Sequence, residues 1–323
     1  MPAKPIDIAD STPLISFIIT TCGVPDDILQ NCIHHIISLS LNANEREIIL
    51  IDNGLEDPPS KELLDMDVNM IYARKQNISL AAARNMGIQL ASGEYIQFLS
   101  GSDYLLTAPY EHCLDIVRFH QPDIVFFQET HKEKAGTSFT FVGPITGSSY
   151  LHDYHLNPAA CQYIFRSKIL GSLRFSTKII HEDEDFTPQL CLRSERIYFT
   201  DADAYFCRPQ RGTETVEQDK RYHLTRLTDI EKVIAHLQDL ADHLGESDRV
   251  ALNRRVAQLS MNYLYQTIQI TRSNRHLNDA VEWLRKRGLF PLPDKKYSRK
   301  YRLFRKLVNT SAGRRLLLFL LPR

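Results

Sequence analysis

The densest group of reactive side chains in this sequence is the run His181-Glu182-Asp183-Glu184-Asp185-Phe186, four carboxylates in five positions. Apolar residues follow it at helical spacing as far as Arg196, so the acids belong to a first turn, where the helix macrodipole favours negative charge. Four adjacent like charges push at least one pKa upward, which suits a general base without saying which acid it is. The plain alternative is that all four only complement a helix N-terminus. Three other polar groups stand where apolar runs end: Thr20-Thr21, Asp52-Asn53 and Ser100-Gly101-Ser102-Asp103. Other chemistries find no support. There is no phosphate-binding GxxxxGK[ST] loop, and no cysteine nucleophile or Ser/His/Asp triad stands out. The six cysteines are scattered without a CxxC pair, which points neither to a zinc site nor to a disulfide framework and fits a reduced, cytoplasmic setting. His34, His35 and His181 read as helix-face residues rather than ligands.

The elements that must position these groups follow from the hydrophobic pattern. Leu14 to Thr20 and Glu47 to Asp52 are short β-branched runs that stop at turns, as buried strands do. Between them Asp26-Asp27 offers an N-cap to a segment with apolar residues near a 3.6 period. VNMIYAR predicts a third strand, ISLAAARNMGIQLA a helix with Gly93 as its cap, and EYIQFL a fourth strand. Such alternation implies an α/β fold with a mostly parallel sheet flanked by helices, whose ligands bind outside the carboxyl ends of the strands. A further helix and the strand DIVFFQE come next. The pattern then loosens from His131 to Pro158.

From about Glu214 long helical segments predominate, and the last hundred residues read as all-helical. Positions 295–323 hold ten basic residues and no acid, interleaved with Leu, Phe, Tyr and Val. That is the pattern of an amphipathic helix on an anionic membrane surface, or of a helix packed on the domain with a solvated basic face. Lys plus Arg and Asp plus Glu both number 39, so no whole-molecule field argues for nucleic acid. With 43% hydrophobic and 24% charged residues, the composition excludes disordered and collagen-like chains. No secretory leader and no membrane-spanning stretch are read.

Taken in order and spacing, SFIITTCG, EIILIDNGLED, NISLAAARNMGIQLASGEYIQFLSGSDYL, HEDEDFTPQL and YFCRPQRGT resemble the family 2 glycosyltransferases. The closest likeness is to the branch found in surface-polysaccharide clusters of gut-type Bacteroidetes. The resemblance implies a GT-A domain (Rossmann-like, with a mostly parallel mixed sheet) over 1–212 and a helical C-terminal region with a basic amphipathic tail over 213–323. It implies inverting transfer of a sugar from a nucleotide-diphosphate donor, UDP- or GDP-linked, to a saccharide or lipid-linked saccharide acceptor in surface polysaccharide synthesis. Such a reaction needs a carboxylate base and positive charge for the departing diphosphate. The family's Glu-Asp motif falls on Glu182 and Asp183, with Asp183 as the base. Nucleotide-sugar contacts fall on Thr20, Asp52, Asn53, Arg84, Ser102 and Asp103. For Asp52 and Asn53 the plain alternative is a turn, and for Arg84 a surface arginine.

Relatives commonly carry Asp-x-Asp-Asp at the fourth strand end, holding a divalent metal against the diphosphate, where this chain has Ser100-Gly101-Ser102-Asp103. Three readings stay open. Asp103 holds Mg²⁺ or Mn²⁺ together with the diphosphate, more weakly than three acids would. Arg208 and Arg211 neutralise the leaving group without metal. Or the protein is a degenerate member that binds sugar nucleotide or partners without catalysis. The expected location is the cytoplasm, peripheral to the inner membrane face through 295–323.

Overall fold

The computed structural model describes residues 12–54, 57–133, 136, 138–209, 220–294 and 299–320. They divide into two compact units. One takes the described residues up to Tyr150 with Leu156–Thr177 and Gln189–Pro209; the other takes Leu151–His155, Lys178–Pro188 and the helices from Lys220 onward. The border expected at 212 lies outside the described residues. The acidic run, by contrast, is grouped with the C-terminal helices.

In the first unit β1 (Ile15–Thr21) pairs in parallel with β2 (Arg46–Asp52) and β4 (Tyr95–Ser100), and β2 with β3 (Met70–Arg74). Ile15, Phe17, Ile18 and Ile19 are all fully buried, because helices cover both faces of a parallel sheet and leave no solvent side for alternation. Those helices are α1 (Asp26–Ile37), the single turn α2 (Lys61–Leu64) and α3 (Leu80–Leu90). Ser79 caps α3 by accepting from the Ala82 N–H. Gly87 lets α3 settle on the sheet, since a Cβ there would stand 2.3 Å from Ile18 Cγ2.

Two expectations are corrected. α3 ends at Ala91 in extended conformation, so Gly93 is not its cap; Gly93 is needed because a Cβ would lie 2.6 Å from the Ser16 backbone nitrogen. The residue capping α1 is Pro25, without a side-chain bond, and Asp26 and Asp27 are first-turn acids.

The sheet continues as β4-β8-β6-β9-β5, with β7 on β9. Here β5 is Tyr104–Leu105, β6 Ile124–Thr130, β7 Phe141–Ile145, β8 Tyr163–Arg166 and β9 Ile197–Phe206. β6 runs parallel to β9, whereas β8 is antiparallel to β4 and β6, and β9 to β5 and β7. The segment without clear periodicity thus supplies β7 and the helix α5 (Gly147–Asp153). α4 (Thr107–His120) follows β5.

α6 (Glu182–Cys191) carries all four acids in its first turn. After it come α7 (Lys220–Ala241), α8 (Glu246–Thr271), α9 (Asn274–Lys286), α10 (Arg299–Val308) and α11 (Ser311–Leu320). Every element described from Lys220 on is helical.

Candidate active site

The parallel strands end side by side, with Thr21 in register with Asp52 and Asp52 with Arg74. Asp52 is nearly buried at 4% exposure. One carboxylate oxygen accepts from the Gly54 N–H at 2.9 Å. The other accepts from the Tyr72 hydroxyl at 3.1 Å and lies 3.1 Å from Arg74 Nε. Burial first, and then the bond to Asp52, raise the Tyr72 pKa, so the phenol stays protonated and donates. An open pocket follows, lined by Thr21, Asp26, Asp52, Gly54 and Asp57 among others. Its rim is fixed by Asp26, which accepts from the Ser60 N–H at 2.9 Å.

The neighbouring candidates are placed otherwise. Thr20 turns its hydroxyl to the Leu99 carbonyl at 3.4 Å, and Asn53 donates from Nδ2 to the Ile78 carbonyl at 3.1 Å. Arg84 is 5% exposed and lies 5.2 Å from the Phe175 ring and 5.7 Å from the Phe98 ring; a surface arginine it is not.

At the end of β4, Asp103 is enclosed. Its Oδ2 accepts from the Tyr205 hydroxyl at 2.8 Å, and its Oδ1 accepts from the Arg208 N–H at 3.0 Å and the Ser102 hydroxyl at 3.2 Å. Tyr205 is buried, which holds its pKa well above the usual value, and its oxygen accepts in turn from the Ser100 N–H at 3.1 Å. The Arg208 guanidinium donates from Nε to the Ser102 carbonyl and from Nη2 to Asn31 Oδ1, and lies 5.5 Å from the Tyr104 ring. Its Nη1 has no partner among the described residues. Arg211 lies outside them.

A divalent cation prefers several oxygen ligands. This turn offers one carboxylate, both of whose oxygens already accept hydrogen bonds, beside a fixed guanidinium. Among the described residues no group of three or more His, Cys, Asp and Glu side chains could hold a metal ion. The donor set does not fit a protein-held metal.

In the second unit two acids of α6 meet side chains of later helices. Glu184 pairs with Arg255 of α8, and Asp185 sits 2.5 Å from His236 Nδ1 of α7. The bond to Asp185 raises the His236 pKa. Glu182 is buried and Asp183 half-buried. His181 and His155 are both lowered, by burial first and then by nearby arginines. Sequence reasoning missed Tyr72, Arg74, Asp26, Asn31 and Tyr205. Only Tyr72 and Arg74 carried a readable signal: two residues apart on a strand, they share the face that meets Asp52 in register.

Residues 16–164 match the family model described as Glycosyl transferase family 2. Glycosyltransferase GlyA of Streptococcus pneumoniae is 23% identical over 209 residues, 58% of this chain and 30% of that protein. The minor teichoic acid biosynthesis protein GgaB of Bacillus subtilis is 24% identical over 159 residues, 46% of this chain and 17% of its own length. The chain therefore spans less than a third of either relative. Among solved structures, S. aureus TarS 1–349 in complex with UDP-GlcNAc superposes with a TM-score of 0.60 at 13% identity, covering 94% of this chain and 89% of that one. The mannosyltransferase PcManGT from Pyrobaculum calidifontis, in complex with GDP-Man and Mn²⁺, gives 0.54 at 12% identity over 98% and 89%. The fold is that of the GT-A glycosyltransferases, and residues 16–164 are similar to the family 2 glycosyltransferase domain.

Proposed function

We propose that the protein transfers a sugar, with inversion, from a nucleotide-diphosphate donor to a hydroxyl of a saccharide or lipid-linked saccharide, in surface-polysaccharide synthesis of the Bacteroidetes type. The observation that carries this reading is the polar pocket at the carboxyl ends of β1 and β2, within the family domain and built around Asp52. Asp52 and Thr21 are assigned to the nucleoside, which offers hydroxyl and N–H donors to a fixed carboxylate. The relatives support this reading: one belongs to teichoic acid biosynthesis, and the solved neighbours hold UDP-GlcNAc or GDP-Man.

In the proposed step the acceptor oxygen attacks the anomeric carbon while Asp183 takes its proton. The bond from that carbon to the diphosphate oxygen breaks, and the electron pair leaves with the phosphate. Arg208, whose guanidinium is held at Nε and Nη2, supplies positive charge for the leaving group in place of metal.

Calorimetry with UDP- and GDP-sugars, each with and without Mn²⁺, tests the first half: donor binding indifferent to the metal is expected, and binding that needs metal would return that role to a cation. Asp183→Asn tests the second, with a rate loss of about 10²–10⁴-fold at unchanged donor affinity. One arrangement favours the rival reading of a binding protein without catalysis, namely Asp103 enclosed beside Ser100 and Ser102. Donor binding with neither transfer nor hydrolysis would establish it.

A further inference from the structure

We propose that the outward faces of α10 and α11 dock this protein on an anionic lipid bilayer. The two helices lie against each other, and no helix among the described residues is long and apolar enough to cross a membrane. Each has an inner side that the second unit covers: Tyr301, Phe304, Val308 and Leu317 are buried, with Phe304 6.0 Å from the Tyr265 ring of α8. What remains outside is unusual for a soluble surface. Leu303, Leu316, Phe319 and Leu320 are 64%, 46%, 86% and 63% exposed, on two helices of ten residues each. Isolated exposed leucines need no explanation, but a group of four with a phenylalanine does.

The charges say what covers them. Arg299, Arg302 and Lys306 are exposed on the same side of α10 as Leu303, as positions 299, 302, 303 and 306 must be at a 3.6-residue period. On α11, Arg315 is exposed beside Leu316 and Phe319. Between 299 and 320 there is no acid at all; the acid that does reach the region, Asp294, pairs with Arg305, which is mostly covered. A second copy of this face would bring cations against cations, whereas lipid headgroups with net negative charge match them and the acyl boundary takes Leu and Phe. Charge complementarity therefore selects the bilayer over self-association. The docking does not depend on the transfer reaction, so each can fail alone.

The test is sedimentation of the full chain with vesicles of phosphatidylcholine alone and of phosphatidylcholine mixed with phosphatidylglycerol, at two salt concentrations, beside light scattering for mass. Binding to the mixed vesicles about tenfold or more above the neutral ones, weakened by salt, is expected. Arg302→Glu with Lys306→Glu should remove most of it, and Leu316→Ser with Phe319→Ser should weaken it at every salt concentration. All four positions are exposed, so the variants should melt as the parent does. Absence of binding, equal binding to neutral vesicles, or retention by the charge variant would overturn the proposal. So would a dimer that only the Leu316/Phe319 variant disperses, since a second copy would then be the occupant.

Discussion

The ends of β2 and β4 use the same parts to opposite effect. Each presents an aspartate at the carboxyl end of a parallel strand, and each aspartate accepts from a tyrosine hydroxyl and has an arginine beside it. At Asp52 the arginine acts through its side chain, its neighbours are partly exposed, and the carboxylate lines a pocket. At Asp103 the tyrosine is buried and the arginine gives its backbone N–H. The place in the topology is therefore not what makes an acid available. What decides is whether its donors can turn to water instead. Asp52 lines an open pocket, and Asp103 holds a turn.

Removing the carboxylates separates the two most sharply. Asp103→Ala leaves the Tyr205 hydroxyl and the Arg208 N–H without their acceptor in a site with little access to water, and should cost about 2–4 kcal/mol in a urea unfolding series. Asp52→Ala should cost less, about 1 kcal/mol, because Tyr72 and Arg74 can be hydrated and only the Gly54 N–H loses its acceptor in a buried place. Equal losses would erase the distinction. Ligand affinity should reverse the order: Asp52→Asn is expected to weaken UDP or GDP binding about tenfold, or about 1.4 kcal/mol, at an unchanged unfolding midpoint.

The parallel half of the sheet was legible because a strand buried on both faces reads as an unbroken apolar run, and Asp52 because it closes such a run. The destinies of Asp103 and Arg84 were not legible. They depend on Tyr205, Arg208 and Phe175, which local periodicity cannot bring near. The acidic run was legible as a helix start, yet the partners of Glu184 and Asp185 were not, for Arg255 and His236 reach them from helices far along the chain. β7 was hidden because it is a short, partly exposed edge with an irregular register against β9.

Ser100→Asp with Ser102→Asp sharpens the comparison from the other side. If the β4 turn is a poor metal site only for want of ligands, restoring two acids beside Asp103 should raise Mn²⁺-dependent nucleotide binding above the parent's, seen by calorimetry. The expected gain is small, about three- to tenfold, because Arg208 stays at the site and opposes a cation. No change at all would mean that Arg208, rather than the missing carboxylates, sets the character of the turn.

The smallest effect expected concerns an acid held by a titrating partner. His236 has its pKa raised, first by the hydrogen bond to Asp185, against the desolvation that lowers it and with Asp239 adding to the rise. A histidine raised in the folded state contributes stability that is fully present below its unfolded pKa of about 6.5 and is lost as pH climbs through the folded value. His155 and His181 are lowered instead, chiefly by burial. Their neutral forms are favoured, so they withdraw stability only as pH falls below about 6.5. The two windows lie on opposite sides of the same pH. Subtracting the pH profile of unfolding for His236→Ala from that of the parent should leave a stabilising difference that is full below about pH 6.5 and fades as pH climbs through the raised folded value. A difference that persists on the alkaline side and is lost as pH falls below about 6.5 would mean that His236 is neutral against Asp185, and that the bond to this acid of α6 does not rest on a charged imidazole.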